Sequence, residues 1–442
     1  MGEAKFVSGS PMRHIAVMTS TASIGLMALF LVDLVDIYFL SLLDKVEITA
    51  GVGFAGTLLF FTTSISIGIA IAMAALVSRS VGARKWRRAR RHAINVLVYG
   101  ILIAFTAAGL IYANMDAILS LMGAKGETAE MAKAYLRIVL PSMPFMSAGM
   151  AFSGILRAIG DAKRAMMLTL VGAAANAILD PILIFGLDMG IEGAAWATVF
   201  GRGSIFFTGL YSAMIVHKMI GRFHLRAFWV DTKTITKIAF PTMITNIATP
   251  FATAYLQRII SDYGDQVVAG FSIMSRLQPV LFCGIFALSG AVGPILGQNW
   301  GAGLKDRVEQ TYADSIKFTF LYTLIASMIL FLSQNVIVDA FKAEGETALI
   351  ITFTCTWLTW SFFFTGAQFV ANATFNNLGK PSYSTYFNVG KATIGTIPFV
   401  LVGAQIAGAL GAFTGQAIGA VFFGIAAIMV AKNHVKKLFE RA

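Results

Sequence analysis

The sequence predicts an all-α integral membrane protein of twelve transmembrane helices, in two pseudo-symmetric six-helix lobes. Three observations predict it. Of 442 residues, 57% are hydrophobic and only 13% charged, whereas soluble domains average about 25% charged. Uncharged runs such as 51–78, 93–114 and 347–375 exceed the roughly 20 residues that span a bilayer. The two halves also repeat at an offset of 219 residues: Ala50-Gly51 matches Ala269-Gly270, Gly82-Ala83 matches Gly301-Ala302, and Ile159-Gly160 matches Leu378-Gly379. Late in each half the offset slips by one, so Gly193-Ala194 stands opposite Gly411-Ala412.

The apolar runs place spans at about 14–43, 51–78, 93–114, 134–156, 165–187, 193–217, 234–261, 266–299, 316–334, 347–375, 382–404 and 405–431. The first run is too long for a signal peptide and continues into an acidic segment, so no cleaved leader is expected. Six spans per half is an even number, which makes the repeat parallel, as in transporters with two rocking bundles. The division expected is an N-lobe over 1–216, a cytoplasmic connector over 217–233 and a C-lobe over 234–442. The connector mixes cations with Phe223, Phe228 and Trp229, a pattern that suits either a short interfacial helix or a solvated linker.

The net charge of +12 is a topology signal. Of the 34 Lys and Arg, 23 fall in the N-terminus, the even-numbered connections and the C-terminus, and four in the odd-numbered connections. By the positive-inside rule both termini are cytoplasmic, here at the cytoplasmic (inner) membrane, with lipids as contacts and no nucleic acid as partner. Cys283 and Cys355 lie in apolar runs and suit small core residues rather than a disulfide or zinc site. No nucleophile–His pair, metal cluster or phosphate loop appears, so the chain is not expected to be an enzyme or to carry a cofactor or metal.

Asn176 and Asp180 stand four apart near the far end of the fifth span, so both project from one helix face. A carboxylate inside a membrane-length apolar segment is costly and by default marks an ion or substrate path.

Three stretches resemble the multidrug and toxic compound extrusion (MATE) transporters. These are GDAKRAMMLTLVGAAANAILDPILIFG followed by GIEGAAWAT, LVDIYFL over Leu34–Leu40, and PILGQNWGAGLKDRV over Pro294–Val308. The resemblance covers nearly the whole chain and implies that the two six-helix lobes stand around a central cleft, in a monomeric antiporter that exports organic cations and other amphipathic compounds against protons or sodium. It implies an N-lobe coupling site of Asp36, Asn176 and Asp180, with Tyr135 and Thr198 lining the same pocket. The C-lobe departs from NorM-like members, because neither 347–375 nor 382–404 contains an acid; the pattern is similar to the DinF-like branch. DinF-like proteins carry a proline within the first helix, whereas this chain has none between Pro11 and Pro141, which leaves only Gly25 to loosen that helix.

Helix rise gives an independent check on the acids. Counting from the cytoplasmic ends, Asp36 lies about 33 Å along the first helix and Asp180 about 24 Å along the fifth, so both belong to the outer half of the membrane. Two carboxylates in a poorly hydrated pocket disfavour double ionisation. Such a pair can hold a proton and release it when the pocket opens to water or receives a cation. Asp33, three residues before Asp36, ranks below it. Met150, Phe152, Met166 and Met167 are candidate cleft residues.

Arg202 is placed to balance Asp180 and Arg276 to face the cleft, while Lys391 and Arg258 are expected to snorkel to the interface. The reading is a proton-coupled multidrug antiporter. A sodium-coupled antiporter and a lipid-linked oligosaccharide flippase, which needs a cationic cleft, stand as alternatives.

Overall fold

The computed structural model describes residues 4–440 apart from 42, 44 and 45. Residue 42, near the end of the first expected span, and the extreme termini of the expected lobes lie outside the described residues. Among those described there is no strand, and the helices in order are α1 Pro11–Ser41, α2 Val46–Gly82, α3 Trp86–Ala113, α4 Met115–Leu121, α5 Gly126–Val139, α6 Met143–Ala158, α7 Ala162–Pro181 and α8 Gly190–Leu210. They continue with α9 Leu225–Ile260, α10 Asp265–Leu281, α11 Cys283–Gly301, α12 Lys305–Ala340, α13 Gly345–Phe353, α14 Phe362–Asn377, α15 Pro381–Ala392 and α16 Ile397–Lys437. Helices are the expected solution, because hydrocarbon offers no partner for backbone N–H and C=O groups and a helix satisfies them internally.

Several spans are interrupted rather than straight. A 3-10 turn over Leu140–Ser142, containing Pro141, joins α5 to α6. Helices α10 and α11 meet at a 44° bend. Among the described residues nine helices, or ten counting that bent pair, are long and apolar enough to cross a membrane. The 57-residue stretch Pro381–Lys437 holds two passes, because α16 breaks at Ala407 (φ −140°, ψ 29°) and Gly408 (φ 57°, ψ −139°). Beyond the break the chain folds back on itself: Gly411 packs on Gly403, Gly415 on Phe399 and Gly419 on Gly395, all backbone to backbone. The turn falls close to the expected boundary at 404–405. Helix α9, with 36 residues, is long enough for a twelfth pass but carries Asp231, Lys233, Lys237 and Arg258. The expected fold class holds.

The sequence repeat reappears as backbone geometry. Left-handed residues recur at the same offset of 219: Arg84 with Gly303, Gly123 with Lys342, Gly126 with Gly345, and Gly160 with Gly379. Gly190 pairs with Gly408 at the offset reduced by one, where the sequence slips too. The packing repeats as well. A Cβ on Gly51 would lie 2.8 Å from Met131 Cβ and 3.0 Å from the Thr128 carbonyl; on Gly270 it would lie 2.8 Å from Ile350 Cβ and 3.1 Å from the Thr347 carbonyl. Every one of these partners obeys the same offset, so the two halves share one helix-pairing plan.

The chain divides into two compact units, Ile24–Met243 and Met1–Ser23 with Ile244–Ala442; they are called here the N-terminal and C-terminal units. The N-terminal unit has a core built from Leu58, Leu136, Val139, Leu140, Met143 and Ile184. In the C-terminal unit one cluster centres on Leu256, Ile350 and Val400, and another on Phe282, Leu330 and Cys355. Both cysteines are free and buried.

The connector is neither a separate interfacial helix nor a simple linker. Its second half is the start of α9, which runs unbroken from Leu225 to Ile260. Asp231 explains the extension. It is buried and accepts from Arg91 Nε and Nη2, both at 2.9 Å, and from Asn95 Nδ2 at 2.7 Å, which locks α9 to α3. Phe223, Leu225, Trp229 and Val230 stay exposed around it, as amphipathic residues do at a headgroup boundary.

Candidate functional site

The site lies within the N-terminal unit and starts from the way α7 ends. Asp161 caps α7 by accepting from Arg164 N at 3.1 Å, and its carboxylate also meets His217 Nε2 at 2.8 Å. At the other end Pro181 lacks an N–H and frees a carbonyl one turn back. The chain then widens into a π-helical turn over Ile182–Gly186, and such turns concentrate at functional sites. Asp180 sits at that junction, 1% exposed.

Close approach of α8 completes one wall. A Cβ on Gly201 would meet the Gly172 carbonyl at 3.1 Å and Asn176 Cβ at 3.4 Å, so two glycines set the crossing beside Asn176. Small residues at such a crossing let membrane helices pack backbone to backbone. As a result Thr198, on α8, comes within reach of Asn176 on α7.

The amide of Asn176 is oriented by its partners, since carboxylates only accept and a backbone N–H only donates. With that orientation Nδ2 lies 3.0 Å from Asp180 Oδ2 and 3.0 and 3.1 Å from the two oxygens of Asp36, while Oδ1 lies 3.3 Å from Thr198 N. The Asp36 and Asp180 carboxyl groups are thus gathered on one amide. Tyr135, 9% exposed on α5, closes the group with its hydroxyl 3.1 Å from Thr198 Oγ1.

All five residues expected at the site therefore come together, from α1, α5, α7 and α8. Helix α1 is continuous over Pro11–Ser41, and the lack of an internal proline leaves it unbroken. Asp33 is exposed and stands outside the amide bridge.

Of the cations, Arg202 and Lys391 depart from expectation and Arg258 does not. Arg202 does not balance Asp180: among the described residues no ion pair joins them. Its Nη1 instead donates to the Val139 carbonyl at 3.2 Å and to Ser142 Oγ at 2.9 Å. The arginine thus satisfies groups loosened by the turn at Pro141. Arg258 pairs with Asp262 at 2.7 Å and is exposed, in keeping with snorkelling. Lys391 does not snorkel; it lines a cavity inside the C-terminal unit. Arg276 is exposed. Phe152 is no cleft residue, being fully buried and pressed against Gly209. Sequence reasoning missed the Asp231 clamp, although a lone acid in a basic connector was its visible signal.

Comparison with known proteins matches the MatE family model to residues 22–182 and 241–402. The "FAD transporter" of Shewanella oneidensis is 26% identical over 419 residues, covering 93% of this chain and 92% of that protein. The "Multidrug export protein MepA" of Staphylococcus haemolyticus is 23% identical over 383 residues, covering 86% and 84%. A solved structure described as the outward-facing conformation of a multidrug resistance MATE family transporter superposes with a TM-score of 0.93 at 22% identity, over 100% of this chain and 99% of that one. At that identity the likeness carries the fold.

Proposed function

Because this chain belongs to the MatE family, whose members are membrane transporters and not enzymes, we propose that it is a proton-coupled multidrug efflux antiporter working by alternating access. Its cargo is amphipathic and mostly cationic small molecules. Asp36, Asn176 and Asp180 form the coupling site, and Tyr135 and Thr198 line the same pocket. It acts as a monomer in the cytoplasmic membrane with both termini inside. The drug-export names of relatives such as the Staphylococcus haemolyticus protein support the cargo class.

One observation carries the coupling reading: a neutral amide bridges two carboxylates from separate membrane helices. A pair that shares one proton exchanges it for a cationic cargo without building up unpaired charge. A ligand shifts the balance between conformations only through differential affinity, and protonation of this pair supplies such a difference. A flippase for lipid-linked oligosaccharides needs several cations around one anionic headgroup, and the commitment of Arg202 to Val139 and Ser142 counts against it.

The test is dye efflux in proteoliposomes under an imposed proton or sodium gradient. Asp36→Asn and Asp180→Asn are each expected to abolish proton-driven efflux while the protein still inserts. Full transport by either variant, or transport driven by sodium alone, would refute the assignment.

A further inference from the structure

The C-terminal unit contains a cavity of about 320 Å³ that the coupling reading does not use; ligand pockets run from ~300 to 1,000 Å³. Its apolar wall includes Phe271, Phe286, Phe362, Phe369 and Phe413, and its polar wall Gln278, Thr365, Asn388 and Gln416. Lys391 is the one charged side chain lining it among the described residues. It is the penultimate residue of α15 and is anchored where the helix breaks, because Thr396 Oγ1 donates to its carbonyl at 2.8 Å.

An ammonium has three donors. Here Nζ makes one long contact, 3.4 Å to Thr365 Oγ1, and no ion pair among the described residues. The Gln278 and Gln416 amides in the same wall likewise have no hydrogen-bond partner among the described residues. A charge in a largely apolar cavity calls for a counter-charge, and among the described residues the lining contains no carboxylate to supply it.

We propose that this cavity binds an amphipathic organic anion, whose carboxylate or phosphate pairs with Lys391 while its ring-bearing body packs against the phenylalanines. The amides of Gln278 and Gln416 supply further donors to the anionic group. As a subsite for cargo the proposal rests on the transporter reading. As a binding site it is independent of the Asp36–Asp180 pair and of any gradient.

Fluorescence titration of the full-length protein in phosphatidylcholine nanodiscs tests it, using three probes that share one aromatic body: dansylglycine, dansylamide and dansylcadaverine. The anionic dansylglycine is expected to bind at least about tenfold more tightly than the neutral and cationic probes, the range of a hydrogen bond to a charged group. Lys391→Met removes that preference and Lys391→Arg keeps it. Equal affinity for all three probes, or dansylglycine binding unchanged in Lys391→Met, overturns the site.

The titration is repeated in nanodiscs that mix phosphatidylcholine with phosphatidylglycerol, to separate the two sources of such an anion. Unchanged affinity assigns the site to a soluble solute; a Lys391-dependent loss assigns it to an anionic lipid headgroup and overturns the cargo reading. Because no gradient is present, a failure here leaves the proton-coupling experiment untouched.

Discussion

Asn176 is the residue on which the acidic pocket turns. A carboxylate there would be a third acceptor, and an aliphatic side chain would leave Asp36 and Asp180 facing each other unbridged. The amide alone donates to both while accepting from Thr198 N–H. Hydrogen bonds to charged groups contribute about 1.5–3 kcal/mol each. We therefore expect Asn176→Ala to lower proton-driven dye efflux by about tenfold or more, with insertion and monodispersity intact, as initial rates in proteoliposomes will read. Efflux at the parental rate would show that the bridge is incidental. The 176–180 spacing was readable from the helical repeat alone, and helix rise put Asp36 at a compatible depth. The ends of the long cations were not readable. Arg202 and Lys391 have side chains long enough to reach several environments, and only packing decides that one closes a turn at Pro141 while the other enters a cavity.

Helix crossings and breaks determine whether those residues meet. The α7–α8 crossing depends on Gly172 and Gly201, and γ-carbons at 201 would run into the Gly172 carbonyl and Asn176 Cβ. Overpacking of this kind costs about 1–3 kcal/mol. Gly201→Val is expected to lower the thermal unfolding midpoint in detergent and to slow efflux by drawing Thr198 away from Asn176. Gly203→Val, on the same helix but with nothing within 4 Å of its Cβ, is the control and should match the parent in both. Equal effects of the two substitutions would mean that the crossing is not what places Thr198.

Span positions were legible because apolar runs and basic loops are properties of composition. Departures from straight helices were less so. The π-turn after Pro181 and the 44° bend between α10 and α11 depend on which neighbours satisfy the freed backbone groups. The start of α9 at Leu225 likewise depends on a buried tie from Asp231 to Arg91 and Asn95; the lone acid in a basic connector hints at a tie, but its partners on α3 lie some 140 residues away in sequence.

Across the chain, one helix plan is written twice and then made unequal in chemistry. Left-handed turns and glycine contacts repeat at the 219 offset, yet the acid pair has no counterpart in the second copy, where Asp36 faces Tyr255 in the alignment. The second copy instead holds a cavity in which Lys391 is the one charged lining residue among those described. Duplication was legible because glycines recur in both copies at a close approach, Gly51 with Gly270, and at left-handed turns, Gly126 with Gly345 and Gly160 with Gly379, even though Arg84 and Lys342 take other left-handed positions opposite a glycine. The divergence of the two pockets was legible for the acids, which are rare in apolar runs, and not for the cavity, whose walls come from α9, α10, α11, α13, α14, α15 and α16. The central claim is that the N-terminal pocket gives up a proton when it takes cargo. The most direct measurement is the pH change on adding ethidium to the purified protein in weakly buffered detergent solution near neutral pH. The parent protein should release protons in proportion to ethidium bound, and Asp36→Asn and Asp180→Asn should bind or not bind without any release. Ethidium binding by the parent with no proton release, or equal release by the variants, would contradict the account.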